Sequence, residues 1–179
     1  MLEHSDISVK ANTMTELGIR TMEAADWDRV RTIYLEGIAT GHATFETGAP
    51  SFAEWDKAHL SFARLVAQQG DATVGWAALS PVSQRCVYGG VAEVSVYVSA
   101  ASRGSGVGRK LLYALIAESE QNGIWTLQAG IFPENVGSLV VHRASGFREV
   151  GRRERIGKMN GEWRDTILLE RRSTMVGID

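Results

Sequence analysis

The sequence predicts an α/β domain of mixed α+β order, with a single central, mostly antiparallel sheet flanked by helices. Three observations predict it. Val91 to Val98 alternates, with Val94, Val96 and Val98 on one face and Glu93, Ser95 and Tyr97 on the other, as a strand with two unlike faces does. Val107, Leu111, Leu112, Leu115 and Ile116 recur at helical spacing directly after a glycine-rich turn. Near the end, Asn160-Gly161 separates two extended runs, and that dipeptide favours a tight hairpin.

The remaining elements follow in order. Leu17, Ile19 and Thr21 alternate as a first strand. Trp27, Val30, Ile33, Tyr34 and Ile38 keep helical spacing until Gly41 stops them. Ser51-Phe52-Ala53-Glu54 is a capping box, in which Ser and Glu side chains satisfy free amides, so a second helix runs from there towards Phe62. Arg64 to Gln68 and Ala72 to Leu79 read as strands around a turn at Gln69-Gly70-Asp71. After the strand Val91 to Val98, the long helix ends near Asn122-Gly123, and Trp125 to Ile131 is again a strand. Asn135 caps a helix whose apolar stripe is Val136, Leu139, Val140 and Ala144 and which stops at Gly146. Phe147 to Arg155 and Trp163 to Arg171 are the last strands. The order is β-α-α-β-β-β-α-β-α-β-β.

At 179 residues, 44% hydrophobic and 22% charged, the chain reads as one globular domain. It carries no repeat and no linker composition. The domain is expected over residues 15–173, with a disordered tail at 1–14 and a C-terminal tail at 174–179. Met14 stands just before the first strand, where a natural start would fit. The net charge of -2 gives no general attraction for nucleic acid or anionic membranes. The basic runs at Arg152, Arg153 and Arg155 and at Arg171 and Arg172 read as solvated edges. No apolar run is long enough for a membrane helix, and residues 1–13 lack a signal peptide's apolar region. The lone Cys86 excludes an intrachain disulfide and a multi-cysteine metal site, which fits a reducing cytoplasm. His4, His42, His59 and His142 show no ligand spacing, so no metal is expected.

The most informative stretch is Arg103-Gly104-Ser105-Gly106-Val107-Gly108-Arg109-Lys110, between a strand and a helix. Glycines let the backbone turn sharply and approach a ligand closely. Free amides at the helix start favour a pyrophosphate-like anion. The P-loop string is absent, and the dinucleotide fingerprint fails because Arg109 stands after Gly108. The stretch fits [QR]-x-x-G-x-[GA] through Arg103, Gly106 and Gly108.

That motif, with the element order, resembles the GCN5-related N-acetyltransferase (GNAT) superfamily, in its phosphinothricin and methionine sulfoximine N-acetyltransferase branch. The resemblance runs from about Leu17 to Arg171. It is carried by Thr44-Phe45-Glu46, Arg85-Cys86-Val87-Tyr88, Val91 to Val98, the glycine turn, Asn135 with Ser138 and His142, Gly146-Phe147 and Gly161-Glu162-Trp163-Arg164-Asp165. It implies the GNAT fold, with a splay between the fourth and fifth strands, acetyl-CoA as cosubstrate, and a homodimer.

The same resemblance implies the site. Val94, Ser95, Val96, Tyr97 and Val98 would flank the pantetheine arm, with a backbone amide near Val94 to Val96 stabilising the oxyanion. Arg103, Gly104, Ser105, Gly106, Val107, Gly108 and Arg109 would hold the pyrophosphate, and Asn135 and Ser138 would also meet the cofactor. Glu93, a carboxylate in mid-strand, is the expected general base, because an amine of pKa about 8 must lose a proton before it attacks. His142 shares a helical face with Ser138, away from the apolar stripe, and is expected near the CoA sulfur as acid or hydrogen-bond donor. Phe45, Glu46, Arg85, Tyr88, Trp163 and Asp165 are expected around the substrate, with the Arg85 fork suited to a carboxylate.

Two departures from the family pattern stand out. Gly89-Gly90 replace larger residues, which could reshape the substrate pocket, and Ser102-Arg103-Gly104 replaces a His-Gln pairing. The expected activity is direct transfer of an acetyl group from acetyl-CoA to the amine of a small amino-acid-like substrate, in a ternary complex. The alternatives are transfer to another amine, a polyamine or a protein N-terminus, and a non-catalytic acyl-CoA-binding sensor.

Overall fold

The structure is a computed structural model and describes residues 16–178. The expected tail at 1–14 lies outside the described residues. Seven strands form one sheet: β1 (Leu17–Thr21), β2 (Leu65–Gln69), β3 (Ala72–Pro81), β4 (Val91–Val98), β5 (Thr126–Ile131), β6 (Arg148–Met159) and β7 (Glu162–Arg172). The helices are α1 (Trp27–Ile38), α2 (Phe52–Ala58), α3 (Val107–Gln121) and α4 (Val136–Ala144). Strand order is β1-β2-β3-β4-β5-β7-β6, with every pair antiparallel except β4 with β5.

The sheet has a core on each face. Leu111, Leu112 and Leu115 of α3 are fully buried against Leu65, Ala77, Leu79, Val94 and Leu169. Burying each such side chain is worth about 1.5–3 kcal/mol, so α3 anchors the glycine turn that precedes it. The other face packs Val30 and Ile33 of α1 with Trp55, Val66, Trp76 and Ala78. The alternation in β4 therefore separates two cores rather than core from solvent.

Several boundaries differ from expectation. α2 has its capping box, Ser51 with Glu54, but ends at Ala58 instead of running towards Phe62. His59 turns extended, and the Leu60 amide joins the Leu79 carbonyl, so the chain leaves the helix to reach the sheet. α4 exposes Val136 and Val140 and buries Leu139 and His142, which corrects the expected stripe. A nine-residue helix whose main packing partner is α3 buries only a narrow stripe, and His142 packs edge-on to Phe147 there. β6 extends to Met159 because register shifts between Glu149/Gly151 and Arg153/Gly157 carry pairing through the charged run. Residues after β7 are tied back, with the Arg172 guanidinium donating to the carbonyls of Val176 and Gly177. No described helix is long and apolar enough to cross a membrane.

Candidate active site

The site is organised by a fork in the sheet. β4 pairs with β5 only at Val91↔Thr126, Ala92↔Leu127 and Glu93↔Gln128, and beyond Glu93 the two strands part. On its other edge β4 stays paired with β3 up to Val98↔Gly75. The Ser99 amide donates to the Val74 carbonyl. Because an antiparallel ladder alternates, odd-numbered residues turn their backbone groups to β3, and Val94, Val96 and Val98 turn theirs into the gap. Ser95 and Tyr97, expected beside the cofactor, thus present backbone to β3. The Tyr97 ring also stacks on Trp76 at 4.7 Å and lies edge-on to Tyr34 at 4.8 Å. Burial, the largest cause, raises the phenols of both Tyr97 and Tyr34, while the Thr44 hydroxyl opposes it.

Glu93 stands at the fork, exposed, on the last paired position. It accepts a hydrogen bond from Gln128 Nε2 at 3.1 Å. Its other oxygen lies 4.0 Å from where a Cβ on Gly130 would stand, so the space above β5 is open beside it.

The glycine turn follows β4. Gly104 and Gly106 have φ of +77° and +87°, which only glycine adopts without strain. Gly106 is the N-cap of α3 and offers no side chain to its amides. Among the described residues, the amides of Gly104 through Arg109 have no hydrogen-bond partner, whereas Lys110 donates to Gly106. Val107 buries its side chain in the core, so its amide is what it offers. Arg103 reaches back, donating to the carbonyls of Val98 at 3.4 Å and Glu36 at 3.1 Å, and Glu36 accepts from the Ala100 amide at 2.6 Å. Arg109 lies over Tyr113, and Ser105 closes the turn onto the Ser102 carbonyl. The arrangement is an anion cradle of amides, with Arg103 engaged as a brace.

On α4, Asn135 caps the helix by accepting from the Ser138 amide at 3.2 Å and donates to the His42 carbonyl at 3.1 Å. His142 is 4% exposed, with Nδ1 placed 2.8 Å from the Ser138 carbonyl. A carbonyl only accepts, so Nδ1 carries the proton. Nε2 is buried without a partner. Burial lowers the imidazole pKa, only partly opposed by the Ser138 bond. A buried neutral ring protonated on Nδ1 has no second proton to donate, which speaks against the expected donor role.

The substrate-side residues divide. Phe45 packs edge-on to Phe132 at 4.7 Å, with Gly157 so close that a Cβ there would lie 2.7 Å from its ring. Glu46 follows it, exposed. Arg85 lies over Tyr88 on an exposed turn before β4, and that pair contacts itself. Trp163 is 57% exposed under Lys158. Asp165 is occupied, accepting from Arg152 at 2.8 and 2.5 Å and from the Arg155 amide at 2.8 Å. The Arg155 amide, its largest cause, and then Arg152 hold its carboxyl below the usual range. Trp163 and Asp165 line a cavity of about 440 Å³ with His42, Glu134, Arg152 and Arg164.

Sequence reasoning missed Gln128, Phe132, Gly157 and Arg164. None lies in a motif of its own, apart from Arg164 beside Trp163. Gly90, read as a departure that could reshape the substrate pocket, also meets a packing requirement. A Cβ there would stand 2.1 Å from the Trp125 ring, while the Gly90 carbonyl accepts from both Trp125 and Thr126. Among the described residues, no three His, Cys, Asp or Glu side chains converge as a metal site.

Comparison with known proteins agrees with this geometry. The family described as "Acetyltransferase (GNAT) domain" matches residues 19–168. A phosphinothricin N-acetyltransferase of Alcaligenes faecalis is 33% identical over 162 residues, 86% of this chain and 81% of the relative. An L-methionine sulfoximine/L-methionine sulfone acetyltransferase of Salmonella typhimurium is 28% identical, over 85% of this chain and 92% of its own. The crystal structure of a phosphinothricin acetyltransferase from Sinorhizobium meliloti, in complex with AcCoA, superposes with a TM-score of 0.82. It is 30% identical and covers 93% of this chain and 92% of that one.

Proposed function

This chain belongs to the acetyltransferase (GNAT) family, and from that premise we propose that it moves an acetyl group from acetyl-CoA to the amine of a small amino-acid-like substrate such as phosphinothricin or methionine sulfoximine. The observation that carries this reading is the fork at Glu93. It puts a carboxylate, a strand edge with unpaired backbone groups and the amide cradle of residues 104–109 along one line of the fold.

Acetyl-CoA, when bound, supplies the activated thioester. The cradle amides hold its pyrophosphate, and Arg103 keeps the cradle joined to the end of α1. One backbone amide of the gap-facing edge, that of Val94 or Val96, donates to the thioester carbonyl oxygen as negative charge grows there. Glu93 takes the proton of the attacking amine through water, with Gln128 orienting the carboxylate. A thiol of pKa about 8.5 departs as its anion near neutral pH, so no protein acid is required. We assign His142 to seating α4 through Ser138 and Phe147. Phe45, Glu46, Arg85 and Tyr88 receive the acceptor, with the Arg85 fork facing its carboxylate.

We place the catalytic domain at residues 15–173 and the enzyme in the cytoplasm, where the exposed thiol of Cys86 stays reduced. A homodimer is supported by the apolar groups that the β6–β7 hairpin leaves in solvent, Ile156 and Trp163, which a second copy would cover. Thiol release from acetyl-CoA on addition of amino-acid analogues tests the activity.

Direct transfer makes a kinetic prediction. Initial rates with both substrates varied give intersecting double-reciprocal lines, and Cys86→Ala keeps its activity. Parallel lines, or a folded Cys86→Ala protein without activity, would show a covalent route instead.

A further inference from the structure

We propose that Arg164 is a positioning residue for the acceptor site, fixing the Gly41–His42 span so that Phe45 and Glu46 stand where the amine is received. This rests on the functional reading above. Residues 39–51 join α1 to α2 without a strand or helix of their own. A segment that lacks a ladder keeps its shape only if its backbone groups find partners elsewhere.

Arg164 supplies them from β7. Nη1 donates to the Gly41 carbonyl at 3.1 Å, and Nη2 faces His42 Nδ1 at 3.2 Å and Glu134 at 3.3 Å. Its side chain is only 17% exposed. The guanidinium carries no acceptor, so His42 Nδ1 must accept and the ring proton sits on Nε2. Asn135, from the α4 cap, holds the adjacent His42 carbonyl. Two consecutive carbonyls are thus held from two different elements.

The same guanidinium lies 4.3 Å above the Phe132 ring, and Phe132 is the wall against which Phe45 packs edge-on. Gly157 also abuts the Phe45 ring, with no room for a Cβ. Arg164 therefore acts on Phe45 twice, through the main chain at Gly41–His42 and through Phe132. It makes no contact with Glu93 or the glycine turn, so its effect belongs to the acceptor and not to acetyl-CoA. Lysine cannot reproduce it, because a single ammonium does not present the planar fork.

Arg164→Met and Arg164→Lys test this in the full chain, with the acceptor that the wild type turns over best. Loss of charge-assisted hydrogen bonds raises KM for the amine about tenfold or more in Arg164→Met, while kcat and the acetyl-CoA affinity change by less than about threefold. Arg164→Lys falls between. Hydrogen exchange at the amides of residues 40–46 quickens in both variants, at unchanged melting temperature. An unchanged KM with unchanged exchange overturns the proposal, as does a rise in KM that merely follows lost acetyl-CoA binding and stability. If Arg164→Met does not fold, Arg164→Lys decides by the same readings. If the wild type acetylates nothing, the functional reading fails, and exchange at residues 40–46 alone still decides whether Arg164 positions this loop.

Discussion

Glu93→Gln lowers kcat by about 10²- to 10⁴-fold at neutral pH and leaves acetyl-CoA affinity within about twofold, the loss typical of a removed general base. Glutamine is isosteric, and its side-chain carbonyl can still accept from Gln128, so the fork itself stays intact. What is lost is a group that takes a proton. The direction with pH follows. Amines of pKa about 8 are mostly protonated at pH 7 and become free on their own as pH rises. The Glu93→Gln rate therefore climbs through that range more steeply than the wild-type rate, narrowing the gap. A variant with full activity at pH 7, or with a gap independent of pH, would remove Glu93 from proton transfer. Circular dichroism and acetyl-CoA titration on the same preparation exclude misfolding.

Gly106→Val and Gly108→Ala separate two ways of damaging the glycine turn. Gly106 sits at φ +87°, where a β-branched residue is strained by about 2 kcal/mol or more. That strain lowers the melting temperature by roughly 4–8 °C in a domain of this size. It also misdirects the amides after the cap, and losing two charge-assisted hydrogen bonds weakens acetyl-CoA binding by roughly a hundredfold or more. Gly108 differs. A Cβ there meets Val98 at an ordinary 3.5 Å, and its φ is not left-handed. Alanine is the better helix former, so Gly108→Ala holds or slightly raises the melting temperature. Its methyl group nevertheless stands among amides assigned to the pyrophosphate, and acetyl-CoA binding weakens about tenfold. Calorimetric titration reads both. Wild-type affinity in Gly108→Ala would mean that the phosphates do not approach the turn this closely.

The sequence and the structure agree where local chemistry decides. Alternation marks β4 because the Val94 side and the Tyr97 side enter different cores. Ser51 and Glu54 mark the start of α2 because the capping box is local. Its end is silent, since no Gly or Pro stops it and the tie from Leu60 to Leu79 comes from the sheet. The α4 stripe is ambiguous in the sequence because four of its nine residues, Val136, Leu139, Val140 and Val141, are large apolar groups, and only packing chooses the buried ones.

The site divides the same way. Gly104 and Gly106 announce themselves, since a glycine-rich turn between a strand and a helix signals positive φ, and both adopt it, at +77° and +87°. Arg164 does not, because its partners at Gly41, His42 and Phe132 lie far away in sequence. Asp165 looked available to substrate, yet it spends its acceptors bracing the bulge in β6 through Arg152 and Arg155. The donor role of His142 is implied by the resemblance, whereas its spacing from Ser138 sets only a shared helical face and lets Nδ1–H donate to the Ser138 carbonyl.

The measurement that tests the central claim most directly is thiol release from acetyl-CoA. The acceptor panel comprises phosphinothricin, methionine sulfoximine, free amino acids, polyamines and an N-terminal peptide. The account predicts saturable release with the amino-acid analogues, matched by N-acetylated product in the mass spectrum. Bound acetyl-CoA with no release for any amine would contradict catalysis and leave a binding protein. Release with polyamines or the peptide alone would contradict the assignment of the acceptor.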